Sequence, residues 1–328
     1  MSANDRVREA THAGSWYTAD GSELSKQLDG WLAAVQTPVE LIGPLSKGQS
    51  VDTLPVAGAR VIIGPHAGYS YSGPAAAYAY KAWDVSKAKR IFLLGPSHHF
   101  YLTKAALSKC TQYETPLGYL AIDTETTLEL AKTGQFDWMS QSVDEDEHSM
   151  EMHLPYIHKM LSKTHTELPR LVPIMIGNTS ARTEEKLGQI LAPYLADPTT
   201  AFVISSDFAH WGTRFRYTYF QPATGPALQL PVKRALDRPI HESIKAVDLE
   251  CMAECESGKH RRWLSKLEET GNTVCGRHPI GVIMAAIEEL RKQNEHIGEF
   301  KFVRYERSSL VNSISDSSVS YASAYAVI

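Results

Sequence analysis

Four short runs rich in valine, isoleucine and leucine read as buried strands: RVIIGP (60–65), RIFLLGP (90–96), RLVPIMIG (170–177) and AFVISS (201–206). Between them, SELSKQLDGWLAAVQ (22–36), TETTLELAKTG (124–134), EHSMEMHLPYIHKMLSK (147–163) and TEEKLGQILAPYLA (183–196) read as helices. Strands separated by helical segments predict an α/β fold with helices on the faces of a central sheet. Two further runs, FKFVRYERSS (300–309) and SVSYASAYAVI (318–328), read as antiparallel strands, which makes the sheet mixed. The stretches 37–58 and 221–239 are rich in Pro and Gly and read as insertions, because strand candidates continue on both sides. The expectation is one domain over residues 1–328.

Just past the strand ends the chain turns polar. His66 comes after VIIGP, His98 and His99 after IFLLGPS, and Asp207 and His210 after FVISS. Ligands of open α/β sheets bind just beyond the carboxyl ends of the strands, so histidines delivered there by three strands suggest a shared site. Gly64-Pro65 and Gly95-Pro96 stop the strand and fix the chain direction, which holds the next side chain at a defined point.

Cysteine adds to the set. In NTVCGRHPIGVIMAAIEELRKQ (272–293), Pro279 sits where a helix begins, and Ile280, Ile283, Ile287 and Leu290 form one apolar stripe. Cys275 then lies just before a helix N-terminus with Arg277 nearby, and both features predict a lowered thiol pKa. Two histidines and a thiolate make a three-ligand set suited to zinc, copper or iron. His210 is the candidate acid/base or supporting group, with the Asp207 carboxylate to orient it. His148 and His153, in DEDEHSMEMHLPY (144–156), lack the HExxH spacing and read as pocket-lining or hydrogen-bonding residues, and the acidic run 144–147 reads as a helix N-terminal charge cluster. His12, Trp16 and Tyr17 precede the first helix and read either as a lid near the site or as ordinary packing. His278 reads as a helix cap or a supporting donor. Arg214, Arg216 and Arg277 could meet a phosphate.

Composition sets limits. The 328 residues are 43% hydrophobic and 21% charged with a net charge of −4, and no basic block offers a footprint for nucleic acid. No apolar run suits a membrane span, and MSANDRVREA carries no secretory or transit pattern, so a cytoplasmic protein is expected. The four cysteines form no CxxC pair, and Cys251 and Cys255 read as small apolar residues on a helix. Walker A, GxGxxG and GxSxG patterns are absent.

The blocks REATHAGSWYTA (8–19), PHAGYSYSG, LGPSHH, DEDEHSMEMHLPY, SSDFAHWG, CGRHPIG and DSSVSYA (316–322) span nearly the whole chain. Taken together, they resemble the Memo family, proteins named as mediators of receptor-driven cell motility. That resemblance implies a single α/β domain with the fold of class III extradiol dioxygenases. It implies His66, His98 and Cys275 as metal ligands with His210 beside them, and Trp16 and Tyr71 lining the same pocket. His98 becomes the ligand of the pair and His99 a support or an outward-facing residue. The resemblance further implies one iron (Fe(II)) or copper ion, redox chemistry tied to metal homeostasis, a signalling or phosphotyrosine-peptide partner, and a cytoplasmic or nuclear location. Dioxygenases of that fold usually offer iron two histidines and a carboxylate, so a cysteine in third place makes ring cleavage doubtful. Three readings result: a metal-binding redox protein, a cleft that binds a peptide without metal, and a metal-dependent dioxygenase of unknown substrate.

Overall fold

The computed structural model describes residues 6–233, 235–292 and 297–328. The first residues of MSANDRVREA, Arg234 in the second inserted stretch and Gln293 of the 272–293 segment therefore lie outside the described residues. At the centre is a nine-stranded mixed sheet. Four parallel strands form its middle, in spatial order Val61–Gly64, Thr200–Ser205, Arg90–Pro96 and Arg170–Ile176. On one side Ser318–Ala326 pairs antiparallel with Val61–Gly64 and also carries Phe300–Arg307 and the short His210–Trp211 strand. On the other, Ala105–Leu107 pairs antiparallel with Arg170–Ile176 and parallel with Phe136–Trp138.

The central runs are apolar without a break because both faces of the sheet are covered. Successive side chains of a strand point to opposite faces. Ile62, Ile91, Leu93, Ala201 and Val203 enter one core, with Leu24, Leu28 and Leu32 of helix Gly21–Ala34 and Ile157 and Leu161 of helix Leu154–Thr164. Their neighbours Val61, Ile63, Phe92, Leu94, Phe202 and Ile204 enter a second core. There they meet Leu187, Leu191 and Leu195 of helix Ala181–Ala196, and Ile280, Ile283 and Ile287 of helix Arg277–Arg291. Cys251 and Cys255 are buried in that second core on helix Ile240–Glu256, with burial pushing both thiols up. Among the described residues no helix is long and apolar enough to cross a membrane.

Two sequence expectations need correction. The single helix over 147–163 is two pieces, His148–Glu151 and Leu154–Thr164, and a separate piece, Gln141–Asp146, precedes them. The break at 147 has a cause, since the Glu147 side chain turns back to accept the Ser149 N–H and caps the next turn. Pro155 then sits in the first turn of Leu154–Thr164, where its missing N–H costs nothing. The two inserted stretches also carry structure of their own. Val39–Glu40 pairs with Ser50–Val51 inside the first, and Leu228–Gln229 in the second pairs with Tyr219–Phe220.

Candidate metal centre

Parallel strands bring their carboxyl ends to one edge, and register decides what meets there. Gly64 lies opposite Ser205, and Ile204 opposite Leu94. The segments that carry His66, His98 and Asp207 therefore leave the sheet side by side. Cys275 comes from the turn before helix Arg277–Arg291, pressed onto the end of Thr200–Ser205. A Cβ on Gly276 would lie 2.3 Å from the Ser205 carbonyl oxygen, so only glycine lets this turn come so close. The Gly276 N–H donates to Ser206 Oγ at 3.1 Å and locks that approach.

His66, His98 and Cys275 form a group whose ligand atoms all lie within 4.8 Å of one another, and it could hold a metal ion. Each histidine has its far nitrogen occupied. Ser205 Oγ donates to the Ser149 carbonyl at 2.7 Å, so it must accept from His66 Nδ1–H at 2.6 Å. That leaves the His66 Nε2 lone pair facing Cys275 Sγ, 3.1 Å away. His98 Nδ1 lies 2.8 Å from one oxygen of Glu147, while the His98 N–H donates to the other at 2.6 Å. Burial alone would raise the Glu147 carboxyl, but the hydrogen bonds from His98 hold it down at about 2. It is an anion at neutral pH, and it sets His98 with Nε2 free, the carboxylate–histidine arrangement usual behind a metal. The donor set fits an ion that takes imidazole and thiolate together. Glu147→Gln is expected to weaken metal binding about 10–100-fold without unfolding the chain; competition with a coloured chelator measures it, and an unchanged affinity would remove Glu147 from the site.

The thiol departs from expectation. Burial, and after it the charge of Asp207, pushes Cys275 well above the ordinary thiol range, and neither the helix start nor Arg277 offsets this. Without metal the sulfur keeps its proton, and the Asp207 N–H donates to it at 3.2 Å. His66 is held neutral by burial and then by its histidine neighbours, so its unprotonated nitrogen is available as a donor to an ion.

Asp207 and His210 do not form the expected pair. The Asp207 carboxylate accepts the His66 backbone N–H at 2.9 Å, and burial raises it to about 7. His210 Nδ1 instead donates to the Phe208 carbonyl at 3.0 Å, leaving Nε2 free. The reason is local: the Asp207 side chain turns to the 64–67 turn, whereas His210 already belongs to the short strand on Ser318–Ala326. His148 stacks on His98 at 4.5 Å and beneath Trp16 at 4.4 Å, and with His98 and Glu147 it makes a second, overlapping group of candidate ligands. His12 reaches Glu151 at 2.9 Å and stands edge-on to Trp16, with its ring 6.1 Å from that of His148. His99 is exposed, with its ring edge on His148.

His153 does not line the cleft. It is 1% exposed and bonded to the Tyr80 hydroxyl beneath Gly64. Trp16 and Tyr71 border two different hollows rather than one, because Tyr69 and Ser70 turn with Trp16 while Tyr71, one step further round the helix, faces Arg214. His278 stays apart from the metal group, bonded to Glu184 and Asn178. The acidic run conceals two carboxylates with partners elsewhere in the chain, Glu147 on His98 and Asp144 on the buried Arg8. Only the offset of Glu147 from a capped turn could have hinted at this in the sequence.

A family model described as "Memo-like protein" matches residues 8–325. Protein MEMO1 of Xenopus laevis is 45% identical over 328 residues, covering 100% of both chains. Protein MEMO1 of Homo sapiens is 44% identical over 322 residues, covering 98% of each. A solved structure of an uncharacterized protein from Escherichia coli K12 overlaps 80% of this chain and 98% of its own, at 11% identity and a TM-score of 0.46.

Proposed function

The chain belongs to the Memo family, and on that footing we propose that it is a metal-dependent redox protein holding one iron or copper ion between His66, His98 and Cys275. The observation that carries this reading is the donor set: three side chains from distant parts of the chain, within 4.8 Å, with both imidazoles tied from behind. When bound, such an ion supplies one-electron chemistry by changing oxidation state. The protein's own groups do the rest. Ser205 and Glu147 fix the two rings and their tautomers. His210, with Nδ1 occupied by a carbonyl, keeps Nε2 to hold or release a proton. The rings of Trp16 and His148, tilted against each other at 4.4 Å, border the group on the His98 side. A cysteine where ring-opening enzymes of the expected fold place a carboxylate favours electron transfer over ring cleavage. The output under this reading is metal and oxidant balance in the cytoplasm or nucleus, feeding growth or motility signalling through phosphotyrosine-bearing partners.

Protein purified anaerobically without tag or chelator should carry close to one iron or copper per chain. That ion should cycle reversibly in a spectroelectrochemical titration, and His98→Ala should lose it. Metal far below one per chain that neither Fe(II) nor Cu(I) restores would sink the reading, as would a bound ion that never changes oxidation state.

A further inference from the structure

His153 and Tyr80 form a buried pair that the metal group leaves unused. The His153 ring lies beneath the turn that delivers His66, where a Cβ on Gly64 would stand 3.1 Å from its Cε1. The Tyr80 hydroxyl is 2.7 Å from His153 Nδ1 and 3.4 Å from the His153 carbonyl, so its proton goes to the ring nitrogen. Burial holds His153 at about 3, against a backbone hydrogen bond to Gly64 that raises it, so the imidazole is neutral and Nδ1 keeps a lone pair. Burial, and then Tyr156, pushes the Tyr80 hydroxyl well above its ordinary value, so the phenolate does not form.

A line of rings leads from this pair to the surface. Tyr80 stacks on Tyr156 at 4.6 Å with 4° between the planes. Tyr156 meets Tyr69 at 5.7 Å, and Tyr69 meets the partly exposed Trp31 at 5.8 Å. Phenol and indole rings give up a single electron more readily than other aromatic side chains. What separates Tyr80 from its neighbours is a base. A phenol that loses an electron becomes a strong acid, and passing on its proton requires a base within about 2.6–3.2 Å. Tyr156 and Tyr69 donate to the Gly73 and Met152 carbonyls, which do not take the proton. Tyr17 donates to Glu151, whose carboxylate is already committed to Arg8 and His12. Among the described residues, Tyr80 is the only tyrosine whose hydroxyl bonds to a histidine.

We propose that Tyr80 is a redox-active tyrosine with His153 as its proton acceptor, answering one-electron oxidants of the peroxide-derived class. One electron passes from Tyr80 to the oxidant, which for hydroxyl radical becomes hydroxide. The phenolic O–H bond breaks and an N–H bond forms at His153 Nδ1, leaving a neutral phenoxyl radical beside an imidazolium. A thiolate meeting Trp31 reverses the step: it gives one electron through the rings and becomes a thiyl radical, while the proton returns to the Tyr80 oxygen. This deepens the redox reading by naming a redox group made of protein alone, and rests on it only for where the oxidant arises.

The test oxidises the metal-free full chain with flash-photolysed ruthenium tris-bipyridine and persulfate, and reads trapped radicals by pulsed electron paramagnetic resonance. A long-lived neutral tyrosyl radical should form, more slowly in heavy water, with a hyperfine coupling that changes when the histidines carry a nitrogen isotope. Tyr80→Phe should lose that signal and Tyr156→Phe should keep it. The histidine coupling is measured on the unaltered chain, so it decides the matter even where Tyr80→Phe fails to fold. The proposal falls if the signal survives in Tyr80→Phe, if it carries no histidine coupling, if heavy water leaves its rate unchanged, or if only short-lived surface radicals form. Because the sample holds no metal, failure here leaves the metal reading standing, and failure of that reading leaves this radical in place.

Discussion

Arg8→Ala is expected to destabilise the fold by about 3–5 kcal/mol, the cost of leaving buried charges unpaired. The Arg8 side chain is fully buried. Its Nε reaches Asp144 Oδ1 at 3.2 Å, Nη1 donates to Glu151 Oε2 at 2.7 Å, and Nη2 donates to the Glu147 carbonyl at 3.0 Å. Truncation strands two carboxylates in the interior beside the turn that carries Glu147. Urea unfolding should show a lower midpoint, and adding Asp144→Asn and Glu151→Gln should recover part of the loss, because neutral amides no longer need the cation. An unshifted midpoint in Arg8→Ala would contradict the whole network. The same cluster sets acid sensitivity. Burial would raise Glu151, but the bonds from His12 and Arg8 hold it at about 2. A depressed carboxyl stabilises the fold above its unfolded pKa, near 4.3, and that contribution is lost as pH falls toward about 2. Unfolding midpoints measured across this window should decline on the acid side, and by less in Glu151→Gln.

Cys275→Ser is expected to weaken metal binding by more than the roughly 10–100-fold that loss of a supporting partner costs. A serine hydroxyl in the same buried place stays protonated and offers a poor donor. Because the thiol keeps its proton in the metal-free protein, metal uptake should release about one proton, and affinity should fall as pH is lowered. Calorimetry in buffers of different ionisation enthalpy counts that proton. Full metal content in the serine variant would mean that the ion sits instead in the overlapping group of His98, Glu147 and His148.

The buried strands could be read from the sequence because they are covered on both faces, which leaves an unbroken apolar signature. Helix Tyr69–Ala82 could not, since its outward face is made of Tyr71, Pro74, Tyr78 and Lys81 and gives no clear polar stripe to set its period. The histidines at the strand ends were legible for the same reason as the strands: parallel order puts consecutive chain ends on one edge. The partners behind them were not. Glu147 lies far from His98 in sequence, Ser205 looks like a strand residue, and nothing local tells a buried thiol from an exposed one. The lowered thiol pKa expected from the helix start failed on that point, because desolvation depends on neighbours that only the folded chain supplies.

The order of the ligands along the chain has a consequence for biosynthesis. His66 and His98 leave the ribosome early, and their strands pair only once Thr200–Ser205 arrives to lie between them. The thiol comes later still, ahead of a helix that must pack before Gly276 can seat it. A nascent chain therefore offers no complete three-residue group during most of its synthesis, so any ion held by that group would be taken up by the finished protein and would mark chains that have completed their fold.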